Sequence, residues 1–203
     1  MIKNIIFDVG NVLVDFRWKD YMKDMGFSEE IIDCFAKGIV MNPLWCELDL
    51  GIRPEQEVIA NMKKNVADYP READLFFDKI VDIVETYPYT CDWMDELKAE
   101  GYKIYLLSNY PKWMFELHEK EKFPFISKID GKIVSGMVKL SKPNPEIYKK
   151  LFDTYSLKPN ECLFFDDRIE NVEAAREQGM QTVHFTDLES AKKQMKMILE
   201  RMV

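Results

Sequence analysis

Ile5-Ile6-Phe7 running into Asp8, Tyr102 to Leu107 (YKIYLL) running into Ser108-Asn109, and Glu161 to Phe165 (ECLFF) running into Asp166-Asp167 are the stretches on which the fold turns. Each is a short apolar run, rich in branched or aromatic residues, that ends abruptly in polar side chains. Runs of that length and content predict strands buried on both faces, as in a parallel sheet. A shorter run, Gln181 to Phe185, follows the helix stop at Gly179. Helical patterns separate the runs: Asp92 to Ala99 before Gly101, Trp113 to Lys120, Pro145 to Tyr155, and Glu170 to Gln178. Strand alternating with helix predicts an α/β fold, a Rossmann-like parallel sheet with helices on both faces.

Residues 17–88 break the alternation. They hold four helix-like segments and no convincing strand: Trp18 to Met25, Ser28 to Lys37, Pro54 to Val66 and Pro70 to Tyr87. Ser28 precedes an acidic first turn as an N-cap would, and Pro54 sits where a first helical turn tolerates proline. A helical block inserted after the first strand predicts a cap over the sheet edge. The expected organisation is an α/β core from residues 1–16 and 89–203 with a helical cap from residues 17–88.

Composition narrows the function classes. A chain of 203 residues suits one domain with a modest insertion, and 47% apolar content supports a packed core. The net charge of −8 argues against a nucleic-acid partner, whose phosphates need a basic face. No basic amphipathic stretch suggests a membrane surface, and the apolar runs are too short to span a bilayer. The N-terminus runs straight into a strand-like segment without a signal-peptide pattern, so the expected compartment is the cytoplasm. Cys34, Cys46, Cys91 and Cys162 show no short pairing, which suits reduced thiols in a packed interior. His118 and His184 are expected to be structural.

Ligands of open parallel sheets bind in the crevice outside the carboxyl ends of the strands. Asp8, Ser108 and the Asp166-Asp167 pair each follow a strand run and are therefore expected to meet there. Alone, Asp8 also suits a turn former or helix cap, and Asp166-Asp167 suits partners for the dipole of the following helix. Brought together, three carboxylates repel unless a cation neutralises them, and an oxygen-only set suits Mg²⁺. Ser141-Lys142-Pro143-Asn144-Pro145 adds a lysine in a proline-stiffened loop ahead of a helix. Such a loop can hold an ammonium over a phosphate, although a lone lysine is more often a solvated surface residue.

These stretches form an ordered set: FDVGNVLVD (Phe7 to Asp15), LLSN (Leu106 to Asn109), KPNPEIY (Lys142 to Tyr148) and FFDD (Phe164 to Asp167), followed by Asn171. Over nearly its whole length the chain resembles the haloacid dehalogenase superfamily. The resemblance implies a phosphatase working through an aspartyl-phosphate on Asp8. It implies phosphoryl binding by Ser108 and Asn109, and stabilisation of nucleophile and phosphate by Lys142. It also implies Mg²⁺ held by Asp8, the carbonyl of Gly10, Asp166 and Asp167, and an all-helical cap. The best local match is a sub-branch with D-x-G-N-V that includes glucose 1-phosphate phosphatases, so a small sugar phosphate is the expected substrate.

One position departs from the pattern. Phosphatases of this superfamily typically carry a second aspartate two residues after the nucleophile as general acid and base, and here Gly10 stands there, followed by Asn11. Loss of such a group costs about 10²–10⁴ in rate unless it is replaced. Asp15 is a possible substitute, with a solvated turn residue as the alternative. Without a replacement, the rate should depend steeply on leaving-group pKa. Two rivals share the features: a metal-free 2-haloacid dehalogenase, against which the acidic pair stands, and a catalytically weak module that binds a phosphorylated metabolite, which Gly10 favours. Cap residues decide the substrate; Trp18, Trp45 and Glu47 are candidates only, since an aromatic on a helix is more often core than contact.

Overall fold

The computed structural model describes residues 1–201. Among them seven strands form: β1 (Asn4–Phe7), β2 (Val14–Phe16), β3 (Val84–Thr86), β4 (Lys103–Ser108), β5 (Gly131–Val134), β6 (Cys162–Asp166) and β7 (Gln181–His184). Five make a parallel sheet in the order β5-β4-β1-β6-β7. β1 lies at its centre, every residue buried, as its unbroken apolar run requires. From β1 the chain builds outward through β4 and β5, then crosses back to add β6 and β7 on the other side. That reversal opens a crevice at the carboxyl ends of β1, β4 and β6. β5 was not anticipated; it is a four-residue edge strand whose Gly131 and Lys132 are only half-buried.

Side-chain alternation divides the core between the two sheet faces. Phe7 and Phe165 face one side, where their rings meet Trp93 at 4.8 and 5.3 Å. Ile6, Tyr105 and Phe164 face the other, against Ile147, Tyr148 and Leu151. Each fully buried side chain of this size contributes about 1.5–3 kcal/mol, so the strand ends are held on a stiff base.

β2 and β3 pair antiparallel, Val14 with Thr86 and Phe16 with Val84. Between them lie α1 (Trp18–Asp24), α2 (Glu29–Phe35), a π-helical turn (Ala36–Val40), α3 (Pro43–Leu50), α4 (Glu55–Asn65) and α5 (Pro70–Asp78). The Ser28 hydroxyl caps α2 by accepting from the Ile31 N–H at 3.4 Å. Three expectations need correction. Pro54 stands at the N-cap of α4, one position outside the helix. The helix expected to run from Pro70 to Tyr87 stops at Asp78. It is followed by a 3₁₀ turn (Ile80–Ile83) and then β3, because Ile80, Ile83 and Val84 bury themselves and β2 offers a strand partner. Finally, α3 was missed: it has only eight residues, with Leu48 alone fully buried, so no apolar stripe announces it. Its end signals are present nonetheless. Asn42 caps it by accepting from the Leu44 N–H at 3.0 Å, Pro43 opens it, and Gly51 closes it at a φ of 65°.

The remaining helices are α6 (Thr90–Ala99), α7 (Lys112–Glu121), α8 (Ser135–Val138), α9 (Pro145–Tyr155), α10 (Ile169–Glu177) and α11 (Leu188–Arg201). Among the described residues no helix is long and apolar enough to cross a membrane. All four cysteines are free thiols, but only Cys162 is buried, and Cys46 is exposed.

Candidate active site

The register of the sheet decides which acids meet. Phe7 pairs with Leu106 on one side and Phe165 on the other, so Asp8, one residue further, is level with Asp166. Asp8, Asp166 and Asp167 each bring a carboxylate oxygen within 4.8 Å of the others. Asp166 is fully buried and Asp8 is 8% exposed. The ammonium of Lys142, itself buried, lies between two of them, 3.0 Å from Asp8 Oδ1 and 2.7 Å from Asp166 Oδ2.

Amides hold this charged group in place. Asn109 accepts from the Lys142 N–H at 2.8 Å and donates to the Lys142 carbonyl at 2.9 Å, so its side chain clamps the lysine loop. Asn171 donates to Asp166 from α10 at 3.0 Å, and the Arg168 N–H adds a bond to Asp166 Oδ1 at 2.8 Å. Asn11 donates to Asp167 Oδ2 at 3.0 Å while its backbone adopts a φ of 56°. That left-handed conformation is one asparagine tolerates better than most residues, and it explains the residue after Gly10. The role of Asn11 was missed from sequence, though an asparagine beside a glycine at a strand end is itself a turn signal. Ser108 ends β4 and is buried at the same sheet edge.

Charge balance follows from burial. Asp8 is pushed up to about 7, chiefly by desolvation. Lys142 pulls the value down, and Asp166 and Asp167 push it further up. Asp167 is raised by burial, against the hydrogen bond from Asn11. Burial lowers the pKa of Lys142, but Asp166 and Asp8 more than offset it, so the amine stays an ammonium. One cation among three carboxylates leaves an excess of negative charge. An all-oxygen donor set with that excess fits a hard divalent cation such as Mg²⁺. Asp8 Oδ2 has no protein partner among the described residues and is available to it.

Asp8, Gly10, Asn109, Lys142 and Asp167 open onto a cleft of roughly 670 Å³. Its far wall comes from the helical insertion and is largely apolar, with Val40, Met41 and Trp45 beside Phe16 of β2. Trp45 packs against Phe16 at 5.7 Å in that wall. Trp18 and Glu47 do not line the cleft; Glu47 instead pairs with Arg53 at 2.6 Å. Nor does Asp15, which faces Glu85 across the β2–β3 ribbon. Asp49 of α3 does line it, and nothing in the sequence singled that residue out.

Comparison with known proteins finds relatives among phosphatases and hydrolases. Flavin mononucleotide hydrolase 1 of Arabidopsis thaliana, named as chloroplastic, is 26% identical over 93% of this chain and 74% of its own. A sesquiterpene phosphatase of Aspergillus oryzae is 26% identical over 91% of this chain and 90% of its own. The structure of a HAD family enzyme from Bacteroides thetaiotaomicron, in complex with magnesium and inorganic phosphate, superposes with a TM-score of 0.72. It is 24% identical and covers 92% of this chain and 95% of that one, a likeness of fold. The sequence model of the haloacid dehalogenase-like hydrolases matches residues 2–179, and the chain belongs to that family.

Proposed function

We propose that the protein is a magnesium-dependent phosphatase that hydrolyses a small phosphorylated metabolite through an aspartyl-phosphate on Asp8. The observation that carries this reading is a buried carboxylate at a central strand end, held by a buried lysine and facing an open cleft. Asp8 Oδ attacks phosphorus, the bond to the leaving oxygen breaks, and water then cleaves the acyl phosphate to restore Asp8 and release phosphate. Lys142 keeps Asp8 ionised and offsets charge on the phosphoryl group. The Ser108 hydroxyl and the main-chain N–H of Asn109 would take phosphoryl oxygens. Asp8, Asp167 and the Gly10 carbonyl, with Asp166 directly or through water, would hold Mg²⁺, which supplies further charge stabilisation to those oxygens. An acidic pair at 166 and 167 has no use in a metal-free displacement of halide, which sets the dehalogenase alternative aside.

The helical insertion, residues 17–88, acts in this reading as the cap that selects the leaving group. A sugar phosphate, implied by the D-x-G-N-V motif, can lay a ring face on Trp45. A more apolar alcohol suits the same wall of Phe16, Val40 and Met41, and the Aspergillus relative is named for a sesquiterpene substrate. The cytoplasm remains our assignment of compartment; the Arabidopsis relative carries a chloroplast name.

Turnover of p-nitrophenyl phosphate with magnesium, its loss in EDTA, and its loss in Asp8→Asn are the expected results. Undiminished turnover in EDTA, or more than about a tenth of the wild-type rate in Asp8→Asn, refutes the mechanism. A screen of sugar, terpenoid and nucleotide-like phosphates identifies the leaving group.

A further inference from the structure

Gly10 leaves the proton-transfer role unfilled on the strand side of the cleft. A Cβ built on Gly10 meets no atom within 4 Å, so the gap is open space and not a packed position. Across the cleft, Asp49 sits in the last turn of α3, half-buried, and lines the same cavity as Asp8 and Lys142. Its carboxylate makes no hydrogen bond or ion pair among the described residues. A carboxylate in a largely apolar wall is costly unless it keeps its proton or meets a partner in the bound state.

The backbone around Asp49 is tied to the core with care for position. The Asp49 carbonyl accepts a hydrogen bond from the buried Ser135 hydroxyl, and that hydroxyl also accepts from the Tyr110 N–H at 2.8 Å. Two residues on, Gly51 approaches α8 so closely that a Cβ there would stand 2.8 Å from the Gly136 carbonyl. Both contacts join α3 to the segments that follow β4 and β5. The carboxyl group is therefore held at a set height over the strand ends, which a loosely docked helix would not achieve.

We propose that Asp49, carried into the cleft by α3, is the general acid and base of the reaction in place of a carboxyl group at position 10. The inference rests on the phosphatase reading above. As Asp8 attacks and the bond from phosphorus to the leaving oxygen breaks, Asp49 gives its proton to that oxygen. In the second half, the Asp49 carboxylate takes a proton from the water that attacks phosphorus, Asp8 departs as carboxylate, and Asp49 ends protonated as it began. The groups facing Asp49 are Asp8, Arg168, Lys142 and the Tyr110 hydroxyl. Burial and the Asp8 charge push Asp49 up to about 7, while Arg168 and Lys142 pull it down. Lys142 is in contact with Asp8 and not with Asp49, so the Asp49 carboxyl group faces the cleft with no cation against it.

The test is a series of aryl and alkyl phosphates turned over once by the magnesium-loaded enzyme. Wild type should show a shallow dependence of rate on leaving-group pKa, and Asp49→Asn a steep one. The variant should lose about 10²–10⁴-fold with primary alkyl phosphates and less than about tenfold with p-nitrophenyl phosphate. Under multiple turnover with the aryl ester it should give a burst of p-nitrophenol followed by a slow phase, since the base for the second half is gone. Adding Gly10→Asp to Asp49→Asn should restore the shallow slope, because position 10 has room for the side chain. Equal slopes in wild type and Asp49→Asn overturn the proposal. So does a uniform loss across the series in a folded variant, which marks a structural role. If Asp49→Asn does not fold, Asp49→Ser carries the same comparison. Failure of wild type to turn over any ester refutes the phosphatase reading instead, and the inference with it.

Discussion

His118 gives a measurable pH dependence to folding. It lies on α7, fully buried, with Nδ1 2.6 Å from the Tyr110 hydroxyl and Nε2 3.1 Å from the Ile80 carbonyl. Burial holds Tyr110 well above the usual phenol range, so its O–H donates to Nδ1 and the ring's proton sits on Nε2, facing Ile80. Burial pushes His118 from its ordinary 6.5 down to about 4, against the hydrogen bond to Ile80. The native state therefore keeps the ring neutral while the unfolded chain takes up a proton below 6.5. Stability from this group is intact above that value and is lost as pH falls toward 4. With those two values, the linkage relation gives a loss of about 2 kcal/mol between pH 7.5 and pH 5. Asp8 and Asp49 act in the opposite sense, since their raised values let the folded state bind protons first on acidification. The wild-type curve alone mixes these effects, and the difference from His118→Gln isolates one. Gln can accept from Tyr110 and donate to Ile80 without titrating. Urea unfolding of both proteins from pH 7.5 to 5 should show the wild type losing about 2 kcal/mol more than the variant. Parallel curves within about 0.5 kcal/mol would refute the buried neutral imidazole.

Asn109→Ala removes both bonds to the Lys142 main chain, so urea unfolding should show about 1–3 kcal/mol lost. Single-turnover rates should fall with it as the ammonium leaves Asp8, whereas an unchanged rate would remove the clamp from the mechanism. Gly136→Ala puts a Cβ 2.5 Å from the Lys112 nitrogen and 2.9 Å from the Tyr110 carbonyl, both backbone atoms that cannot yield. It should cost about 1–3 kcal/mol by thermal unfolding, and a neutral effect would contradict the close approach. Saturating magnesium should raise the melting temperature of wild type by about 5 °C, as expected for binding of the native state alone at a hundred times Kd. Asp167→Asn should abolish that shift, and an equal shift in both proteins would place the ion elsewhere.

The strand runs were legible because a parallel strand buried on both faces leaves an unbroken apolar signature, and Asp8, Ser108 and Asp166-Asp167 stand out where it ends. Helices with strong apolar stripes, such as α9, were legible for the same reason. The sequence by itself thus determined the α/β core and most of the polar groups at its edge. Short elements were not legible. β5 and β3 exist because a neighbouring strand supplies hydrogen bonds, and α3 because its capped ends and the close Gly51–Gly136 approach offset a weak apolar face. The site divides in the same way. That Asn109 clamps the Lys142 loop, that Asn11 orients Asp167 and that Asp15 does not line the cleft all depend on distances between residues remote in sequence. Asp49 is the plainest case. An aspartate in a short helix without an apolar stripe carries no local mark, and only the packing of α3 against the loops beyond β4 and β5 brings it into the cleft that Asp8 lines. Local pattern records what each segment buries; which unburied groups come to face one another is decided by tertiary packing alone.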